Sequence, residues 1–420
     1  MIRNNLLFRF IVLWFVLWLF PFPLGSIPYL DVVAQFIEKG ITTLVLWFGN
    51  DVLSLSNEVN SVTTGSGDKL YDYVRLLCVV LIAVLGTFLW IFFQRGSAFE
   101  NKKEKINYWF LIYLRYYLAV VMLGYGFAKV FVLQFQEPGF VRLITNFGDF
   151  SPMGVVWSFM GQSKAYTIFS GALEVIGGLL LLHRRTTLLG ASLVLLVMGN
   201  IMALNFFYDI PVKLYSVRYF LIALLIMLPD MRSLAKVIFG FGSTTARVIQ
   251  RPFETRKWYP ATRIIKWVAV ITFVVYSVYT TYGSMQTYGL LAPKPELYGL
   301  YEVNEYLRNG DRVPPLLTDS TRLRYIAIDR STFATLFDMK KNKTYYRMSR
   351  DSITRKLSLV NYQDSTDVYT LSVIVNDSLY TFKGLHKKDT IELKTQRYGK
   401  EDFLLNQRKF KWIQERPYNR

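Results

Sequence analysis

The sequence predicts a polytopic α-helical membrane protein that ends in an all-β domain. Its apolar residues come in blocks of about 17–22, long enough to cross a hydrocarbon core of about 30 Å as helix. Of the 420 residues, 52% are hydrophobic and 16% are aromatic, and aromatic side chains are typical of the two membrane interfaces. From about Pro293 onward, short β-branched and aromatic runs separated by turn formers favour strands instead.

The apolar runs predict about seven membrane spans. They are Leu6–Leu24, Val74–Phe93, Tyr108–Ala128, Ala165–Leu182, Thr187–Phe207, Leu214–Leu228 and Ile264–Tyr282. No small-residue cleavage site follows the first run, so we interpret it as an uncleaved anchor rather than a signal peptide. The segment Asp31–Asn50 is apolar on one face but contains Glu38 and Lys39, which favours an interfacial helix over a further crossing.

Lysine and arginine residues concentrate in alternate loops, after the second, fourth and sixth runs. Because cytoplasmic loops carry the excess of these residues, we predict a cytoplasmic N-terminus and an extracytoplasmic C-terminus. If Asp31–Asn50 crosses the membrane, the N-terminus changes side and the later loops keep theirs. The formal charge of +19 is then explained by topology and anionic lipid rather than by nucleic acid.

Eight short runs near the C-terminus predict strands. They are Arg324–Asp329, Thr332–Phe337, Thr344–Met348, Leu357–Tyr362, Val368–Val375, Leu379–Phe382, Thr390–Lys394 and Lys409–Ile413. Regular short strands with tight turns are typical of an antiparallel barrel or sandwich.

These patterns divide the chain into four regions. Residues 1–107 form a two-span region with the interfacial helix, and residues 108–240 form a bundle of four spans. Residues 241–292 contain a basic cytoplasmic loop and the last span, and residues 293–420 form the extracytoplasmic β domain.

The scarcity of cysteine and histidine excludes several kinds of site. The chain has one cysteine, Cys78, and two histidines, His183 and His386, so a disulfide within the chain, a Cys-x-x-Cys redox pair and a multi-histidine zinc or haem site are not expected. No Ser-His-Asp set, Walker motif or HExxH motif is recognisable. We therefore predict no catalytic residue and no metal ligand.

Charged residues inside the runs are the candidate functional residues, since a charge in hydrocarbon must be paired, face a cavity or serve a function. Arg115 and Glu174 lie about 10 Å and 12–13 Å from the same membrane edge at 1.5 Å per residue, which predicts a buried ion pair. The pair is interpreted either as a structural contact between two spans or as a ligand-binding or proton-carrying carboxylate kept ionised by its arginine.

A second polar group is predicted at the outer end of the same spans. It consists of Tyr125, Lys129, Asn200, Asn205, Tyr208, Asp209, Lys213 and Arg218. Lys129 and Asp209 are expected at similar height with opposite charge. The group is interpreted either as snorkelling side chains at an interface or as a polar cup for a headgroup, a quinone ring or a peptide terminus. A short helix capped by Asp149 or Ser151, with Pro152 in its first turn, is expected to cover the cup.

The third and fourth runs contain the pattern Arg…Gly-x-x-Lys…Glu-x-x-Gly-Gly, made by Arg115, Gly126, Lys129, Glu174, Gly177 and Gly178. In this pattern the chain resembles the DoxX-like family of bacterial four-helix membrane proteins, over about residues 108–240. The resemblance implies a four-helix bundle in the bacterial cytoplasmic membrane, here with additional spans and a periplasmic β domain. That domain is loosely similar to lipocalin-like barrels in size and strand rhythm.

The resemblance also implies two classes of function. Some DoxX-like proteins are tied to quinone-linked oxidation of sulfur compounds, and others act as assembly or cargo factors. We expect a non-enzymatic envelope assembly or accessory factor that binds a hydrophobic ligand, such as a lipid, or an envelope protein. The alternative is a membrane subunit of a quinone-linked oxidoreductase complex. A small-molecule transporter ranks last, because no inverted repeat is recognisable.

Overall fold

The computed structural model describes residues 4–27, 29–94, 97–240, 259–351, 354, 356–377, 379–408 and 410–419. The chain divides into two compact units. Met1–Gln136 and Ser151–Met285 form the helical unit, and Glu137–Phe150 and Gln286–Arg420 form the barrel unit.

The helices of the described residues are, in chain order, α1 Asn5–Leu19, α2 Asp31–Trp47, α3 Leu70–Phe93, α4 Ser97–Val130, α5 Phe140–Leu143, α6 Pro152–Gln162, α7 Lys164–Leu182, α8 Thr187–Phe207, α9 Lys213–Met227, α10 Met231–Ile238, α11 Tyr259–Thr287 and α12 Leu404–Gln407. A π-helical turn over Phe48–Val52 extends α2. The short helices α5 and α12 belong to the barrel unit.

Prolines and caps set several helix ends. Helix α1 ends at Leu19 with Phe20 in extended conformation, since the residue before a proline disfavours the α region. The hydroxyl of Ser151 accepts a hydrogen bond of 3.1 Å from the N–H of Gly154, and Pro152 opens α6. The predicted cap of this helix is thereby confirmed for Ser151.

The helical membrane part is confirmed, although the set of long helices differs from the predicted one. Among the described residues, six helices are long and apolar enough to cross a membrane: Asp31–Val52, Leu70–Phe93, Lys102–Val130, Lys164–Leu182, Thr187–Phe207 and Tyr259–Thr287. The first and sixth predicted spans correspond to α1 and α9, which have 15 residues each. Glu38 is compatible with a crossing by α2, because it forms an ion pair with Arg75 of α3 at 2.9 Å.

Four of the helices form a bundle. Helix α4 packs against α7 and α9, and α8 packs against the same two helices. The four helices lie between Ser97 and Met227. The core of the bundle contains fully buried apolar side chains from all four helices, among them Leu114, Leu181, Ala191 and Ile222.

Glycines allow α4 and α7 to touch through their backbones. A Cβ atom on Gly171 would lie 2.6 Å from the Cβ of Lys129 and 2.7 Å from the carbonyl oxygen of Gly126. At Gly178 it would lie 3.2 Å from the carbonyl oxygen of Ala119. Close approach of this kind is how small residues hold membrane helices together.

The barrel unit is an up-and-down antiparallel sheet. Its strands are β1 Gly299–Arg308, β2 Asp311–Arg312, β3 Leu323–Arg330, β4 Phe333–Asp338, β5 Lys343–Arg350, β6 Leu357–Asn361, β7 Val368–Asn376, β8 Leu379–His386 and β9 Asp389–Tyr398. Strands β1 and β3–β9 pair in sequence order, and β9 pairs with β1 to close an eight-stranded barrel. The predicted β domain is therefore a barrel and not a sandwich.

Side chains fill the barrel interior, as expected for eight strands. Its centre is aromatic and aliphatic, with Tyr301, Tyr306, Phe382 and Leu393 fully buried. The outer wall is covered in part by the segment 137–150, which we call the strap. Phe140 in the strap is fully buried against Leu300, Ala327 and Phe337 of the wall.

The sequence prediction omits strands β1 and β2 and is wrong for residues 410–413. Strand β1 was not expected, because a bulge between Val303 and Glu305 interrupts its alternation. No strand forms over residues 410–413 of the predicted run Lys409–Ile413, and Lys409 lies outside the described residues. Since β1 already pairs with both β3 and β9, the closed barrel has no edge there for another long strand.

Candidate functional site

A buried ion pair joins the two helices in contact. The Nζ atom of Lys129, at the end of α4, lies 2.5 Å from Oε1 of Glu174 in the middle of α7. The Glu174 side chain is 1% exposed and that of Lys129 is 7% exposed. The second oxygen, Oε2 of Glu174, is buried without a hydrogen-bond partner among the described residues.

The prediction that Glu174 pairs with Arg115 is wrong, and helix register explains why. Gly126 lies against Gly171, and Ala119 against Gly178, so Glu174 is level with a residue about eight positions, or about 12 Å, from Arg115.

Side-chain direction selects the lysine instead. Cβ atoms tilt towards the N-terminus of their own helix. In an antiparallel pair, Glu174 therefore tilts towards the end that carries Lys129, while Lys129 tilts back towards Glu174. Arg115 also tilts towards the N-terminus of α4, and this direction takes its side chain away from Glu174.

Arg115 belongs to a separate cluster at the other end of the bundle. Its Nη1 donates a hydrogen bond of 3.3 Å to the hydroxyl of Thr187 at the start of α8, and its guanidinium lies 5.2 Å from the ring of Tyr116. Nearby, Nζ of Lys266 donates a 3.0 Å hydrogen bond to the carbonyl of Leu182. These groups cover the turn between α7 and α8.

The predicted pairing of Lys129 with Asp209 is also wrong. The Asp209 side chain is 84% exposed, and its carboxylate accepts from Nζ of Lys213 at 2.8 Å. Asn205 is buried and donates a 3.4 Å hydrogen bond to the carbonyl of Val212. Asn200 and Tyr208 are exposed. These members of the predicted cup therefore do not form a polar site together with Lys129.

Arg218 lines a cavity of about 230 Å³ at the end of the unit where α3 and α9 begin. We call it the Arg218 cavity; its walls are Trp18, Leu19, Phe20, Pro21, Glu38, Gly67, Asp72, Arg75, Tyr117, Leu214, Tyr215 and Arg218. The guanidinium lies 4.7 Å from the ring centroid of Tyr215 and 5.4 Å from that of Trp18. It also lies 5.9 Å from the ring of Tyr117 and 5.3 Å from that of Tyr219. This is a cation held between aromatic rings.

The other charged groups of the cavity have partners. Arg75 donates two hydrogen bonds of 2.9 Å to the carboxylate of Glu38, which is a bidentate pair of the strong kind. Asp72 accepts the N–H of Lys69 at 3.0 Å in the first turn of α3. Outside the walls, Asp68 accepts the N–H groups of Lys213 and Leu214 at 2.7 and 2.9 Å and so caps α9.

Tyrosine rings connect the ion pair with the cavity. Nζ of Lys129 lies 5.8 Å from the ring of Tyr125, and the rings of Tyr125 and Tyr219 are 6.2 Å apart. Tyr219 in turn contacts Arg218 and lies 6.3 Å from Tyr215. The structure thus brings together Tyr125, Lys129, Glu174 and Arg218 of the predicted residues.

Sequence reasoning missed the walls of this cavity. Glu38 and Arg75 are opposite charges in two separate apolar segments, which is a signal for an ion pair between helices, whereas Glu38 taken alone argues only against a crossing. Trp18, Tyr117 and Tyr215 carry no such signal, because aromatic residues are frequent throughout the chain.

Comparison with known proteins gives one informative match. No protein-family model matches the chain, and no solved structure matches it. YwoB of Bacillus subtilis (strain 168), whose name describes it as an uncharacterized protein, is 32% identical over 118 residues. The match covers 28% of this chain and 75% of YwoB. The chain belongs to the family of YwoB. About three quarters of the chain therefore lie outside this match.

Proposed function

We propose that this chain is a non-enzymatic accessory or assembly factor of the bacterial cell envelope, which binds a hydrophobic ligand within its helical unit. The observation that carries the proposal is the Arg218 cavity, which combines aromatic walls with a partly buried cation. The barrel interior, by contrast, is filled by its own side chains. Ligand binding is therefore assigned to the helices, and the barrel is assigned the contact with a protein partner.

The barrel offers apolar surface for such a partner at the β7–β8 hairpin. Ile374, Val375 and Leu379 are 52%, 51% and 54% exposed there. Exposed apolar clusters of this kind are typical of interaction sites.

The proposal includes a DoxX-like bundle in the cytoplasmic membrane with the barrel on the periplasmic side. Support comes from the four-helix packing of α4, α7, α8 and α9. It also comes from the position of the resembling residues, since Gly126, Lys129, Glu174 and Gly178 all lie at the contact of α4 with α7.

Ligand retention tests the proposal directly. The full-length protein is purified in mild detergent, and bound small molecules are extracted and identified by mass spectrometry. We expect a hydrophobic ligand at near one-to-one ratio in the wild type and its loss in Trp18→Ala. The matched control Trp47→Ala, at a residue 53% exposed on α2, should retain it.

Photocrosslinking at Val375 tests the second half of the proposal and should yield a discrete envelope protein. A preparation that carries no ligand and gives no crosslink would contradict the proposed function.

A quinone-linked oxidoreductase subunit is the second candidate, favoured by the tyrosines between the Lys129–Glu174 pair and the cavity. A quinone in the cavity would accept a hydrogen bond from Arg218, and the tyrosine hydroxyls would carry protons. This candidate predicts quinone in the purified protein and loss of electron transfer in membranes of a Glu174→Gln strain. A quinone-free preparation with normal respiration in that strain would reject it.

A further inference from the structure

Arg218 is a cation whose counterion is not a carboxylate of the described residues. Its guanidinium contacts the rings of Trp18, Tyr117, Tyr215 and Tyr219, and its Nε is buried without a hydrogen-bond partner there. A guanidinium within a membrane bundle costs several kcal/mol unless it is paired. Aromatic rings return about 0.5–2 kcal/mol each, and the Nε donor of Arg218 still lacks an acceptor among the described residues.

The carboxylates that line the cavity are engaged elsewhere. Glu38 is held by both Nη atoms of Arg75, and Asp72 accepts the N–H of Lys69 in the first turn of its own helix. Moving either group to Arg218 would break one of these contacts. Neither carboxylate of the described cavity walls is therefore available to neutralise Arg218, and a bound anion would supply the missing charge.

The walls limit what can carry that charge. Trp18 is fixed by stacking on Trp14, with ring centroids 5.6 Å apart and planes 4° apart. Together with Tyr117, Leu19 and Leu214 it gives the cavity apolar sides beside the Arg218 guanidinium, while the second guanidinium of the walls, that of Arg75, is held by Glu38. Guanidinium forks bind carboxylate and phosphate in bidentate geometry.

We propose that the Arg218 cavity binds an amphiphile through an oxyanion, a phosphate or carboxylate, seated on the Arg218 guanidinium. The aromatic walls contact the apolar part next to that group. This inference rests on the proposed function and names the ligand class of the same site. The oxyanion has two sources, a lipid headgroup and a free anion, and the experiment separates them.

The test uses two lipids with identical acyl chains, dioleoylphosphatidic acid and dioleoylglycerol, which differ by the phosphate. Binding to the full-length protein in detergent is measured by native mass spectrometry. We expect the phosphate lipid to bind at least ten-fold more tightly, and Arg218→Gln to abolish the difference. Arg218→Lys should keep part of the preference. The control Arg115→Gln, an arginine of the other cluster, should keep all of it.

Inorganic phosphate at millimolar concentration identifies the source. If it displaces the phosphate lipid, a free anion is sufficient for the site, and if it does not, the lipid headgroup is the ligand. Equal affinities for both lipids, unchanged in Arg218→Gln, would overturn the inference and leave the proposed function standing. Binding of neither lipid, with no co-purifying ligand, would overturn both. If Arg218→Gln does not fold, the wild-type comparison and Arg218→Lys decide.

Discussion

At the scale of single residues, the Lys129–Glu174 pair helps to fix how α7 is positioned along α4. Both charges lose their hydration when the bundle forms. Their mutual attraction offsets this desolvation cost only when the geometry of the buried pair is good. Nζ of Lys129 is in direct contact with Oε1 of Glu174, while Oε2 has no hydrogen-bond partner among the described residues, so the attraction offsets only part of that cost. The two charges lie on facing helices, in the same part of the contact between α4 and α7. The principal effect of the pair is therefore to oppose any sliding of α7 along α4, since a shift would separate the charges.

Removing one partner should cost much more than removing both. We expect Glu174→Gln to lower the free energy of unfolding by about 3–5 kcal/mol, because Lys129 is left as an unpaired buried cation. The double variant Glu174→Gln/Lys129→Met should lose less, since no charge remains buried. Unfolding by sodium dodecyl sulfate in mixed micelles measures both.

The exposed pair of Asp209 with Lys213 provides the control for this series. Asp209→Asn should change the free energy of unfolding by less than about 1 kcal/mol, as is typical of surface pairs. A double variant less stable than Glu174→Gln would contradict the argument.

In the barrel, Asp367 should make stability depend on acid pH. Burial alone would raise the pKa of Asp367, but hydrogen bonds from Tyr346, Asn361 and His386 outweigh it and hold the pKa below its usual value. The folded state thus prefers the carboxylate. This stabilisation is present above the ordinary aspartate pKa of about 3.9 and is lost as pH falls through the lower folded value.

Hydrogen exchange detects this effect locally. At pH 7, Asp367→Asn should lower the protection of residues 357–386 by about 1–3 kcal/mol, the contribution of hydrogen bonds to a charged group. The difference from wild type should shrink below pH 4. A difference that stays constant from pH 7 to pH 3 would contradict the assignment.

At the scale of elements, the α4–α7 contact depends on glycine. A methyl group on Gly171 would meet backbone atoms of Gly126 and Val130 at 2.7 and 2.9 Å. Backbone atoms of a helix cannot rotate away as a side chain does, so the two helices would have to separate.

We expect Gly171→Ala to destabilise the protein by about 1–3 kcal/mol, the usual cost of overpacking. The matched control is Gly124→Ala on α4, where an added Cβ meets nothing within 4 Å and helix propensity favours alanine. Thermal unfolding in one detergent compares the two variants. Equal melting temperatures would show that the helices separate without cost.

Regular elements could be predicted from the sequence where one periodicity governs them. Strands β5, β6 and β9 alternate between buried and more exposed side chains, and α3 and α8 are long, mostly apolar segments, so the sequence pattern alone predicts them. Strand β1 could not be predicted, because its bulge at Val303 and Glu305 breaks the alternation. The possibility that α2 crosses depends on the partner of Glu38, which lies 37 residues away in the chain.

The same limit explains the candidate site. Arg115, Lys129 and Glu174 could each be recognised as charges in apolar runs, but the partner of Glu174 depends on helix register and side-chain tilt. The depth of a residue in the membrane, when estimated from the ends of its apolar run, takes account of neither helix register nor side-chain tilt. The walls of the Arg218 cavity come from five helices, α1, α2, α3, α4 and α9, and no local sequence pattern contains that information.

At the scale of the whole molecule, the strap makes the barrel unit discontinuous in sequence. Asp329 of β3 accepts the N–H of Phe140 at 3.1 and 3.2 Å and so caps α5, and Nζ of Lys341 donates a 3.3 Å hydrogen bond to the carbonyl of Ile144. The barrel unit is thus joined to the helical unit both at the strap and at the end of α11. Because one packed unit cannot straddle a bilayer, the strap and the C-terminal strands must lie on the same side of the membrane.

Cysteine labelling separates this consequence from the predicted orientation. In a Cys78→Ala background, cysteines are placed singly at Gly148 in the strap, Ser365 in the β6–β7 turn and Lys236 on α10. All three positions are exposed, and a Cβ on Gly148 meets nothing within 4 Å. We expect a membrane-impermeant maleimide to label the first two in intact spheroplasts and the third only after permeabilisation.

The two comparisons within this experiment have different weight. Gly148→Cys and Ser365→Cys must agree with each other whichever way the protein is inserted, since both positions belong to one packed unit. Disagreement between them would contradict the barrel unit itself. Agreement with both sites protected, and Lys236→Cys labelled, would keep the fold and reverse the orientation that the basic loops predict. Gly148→Cys and Ser365→Cys therefore test the packing of the barrel unit, and Lys236→Cys tests the orientation in the membrane.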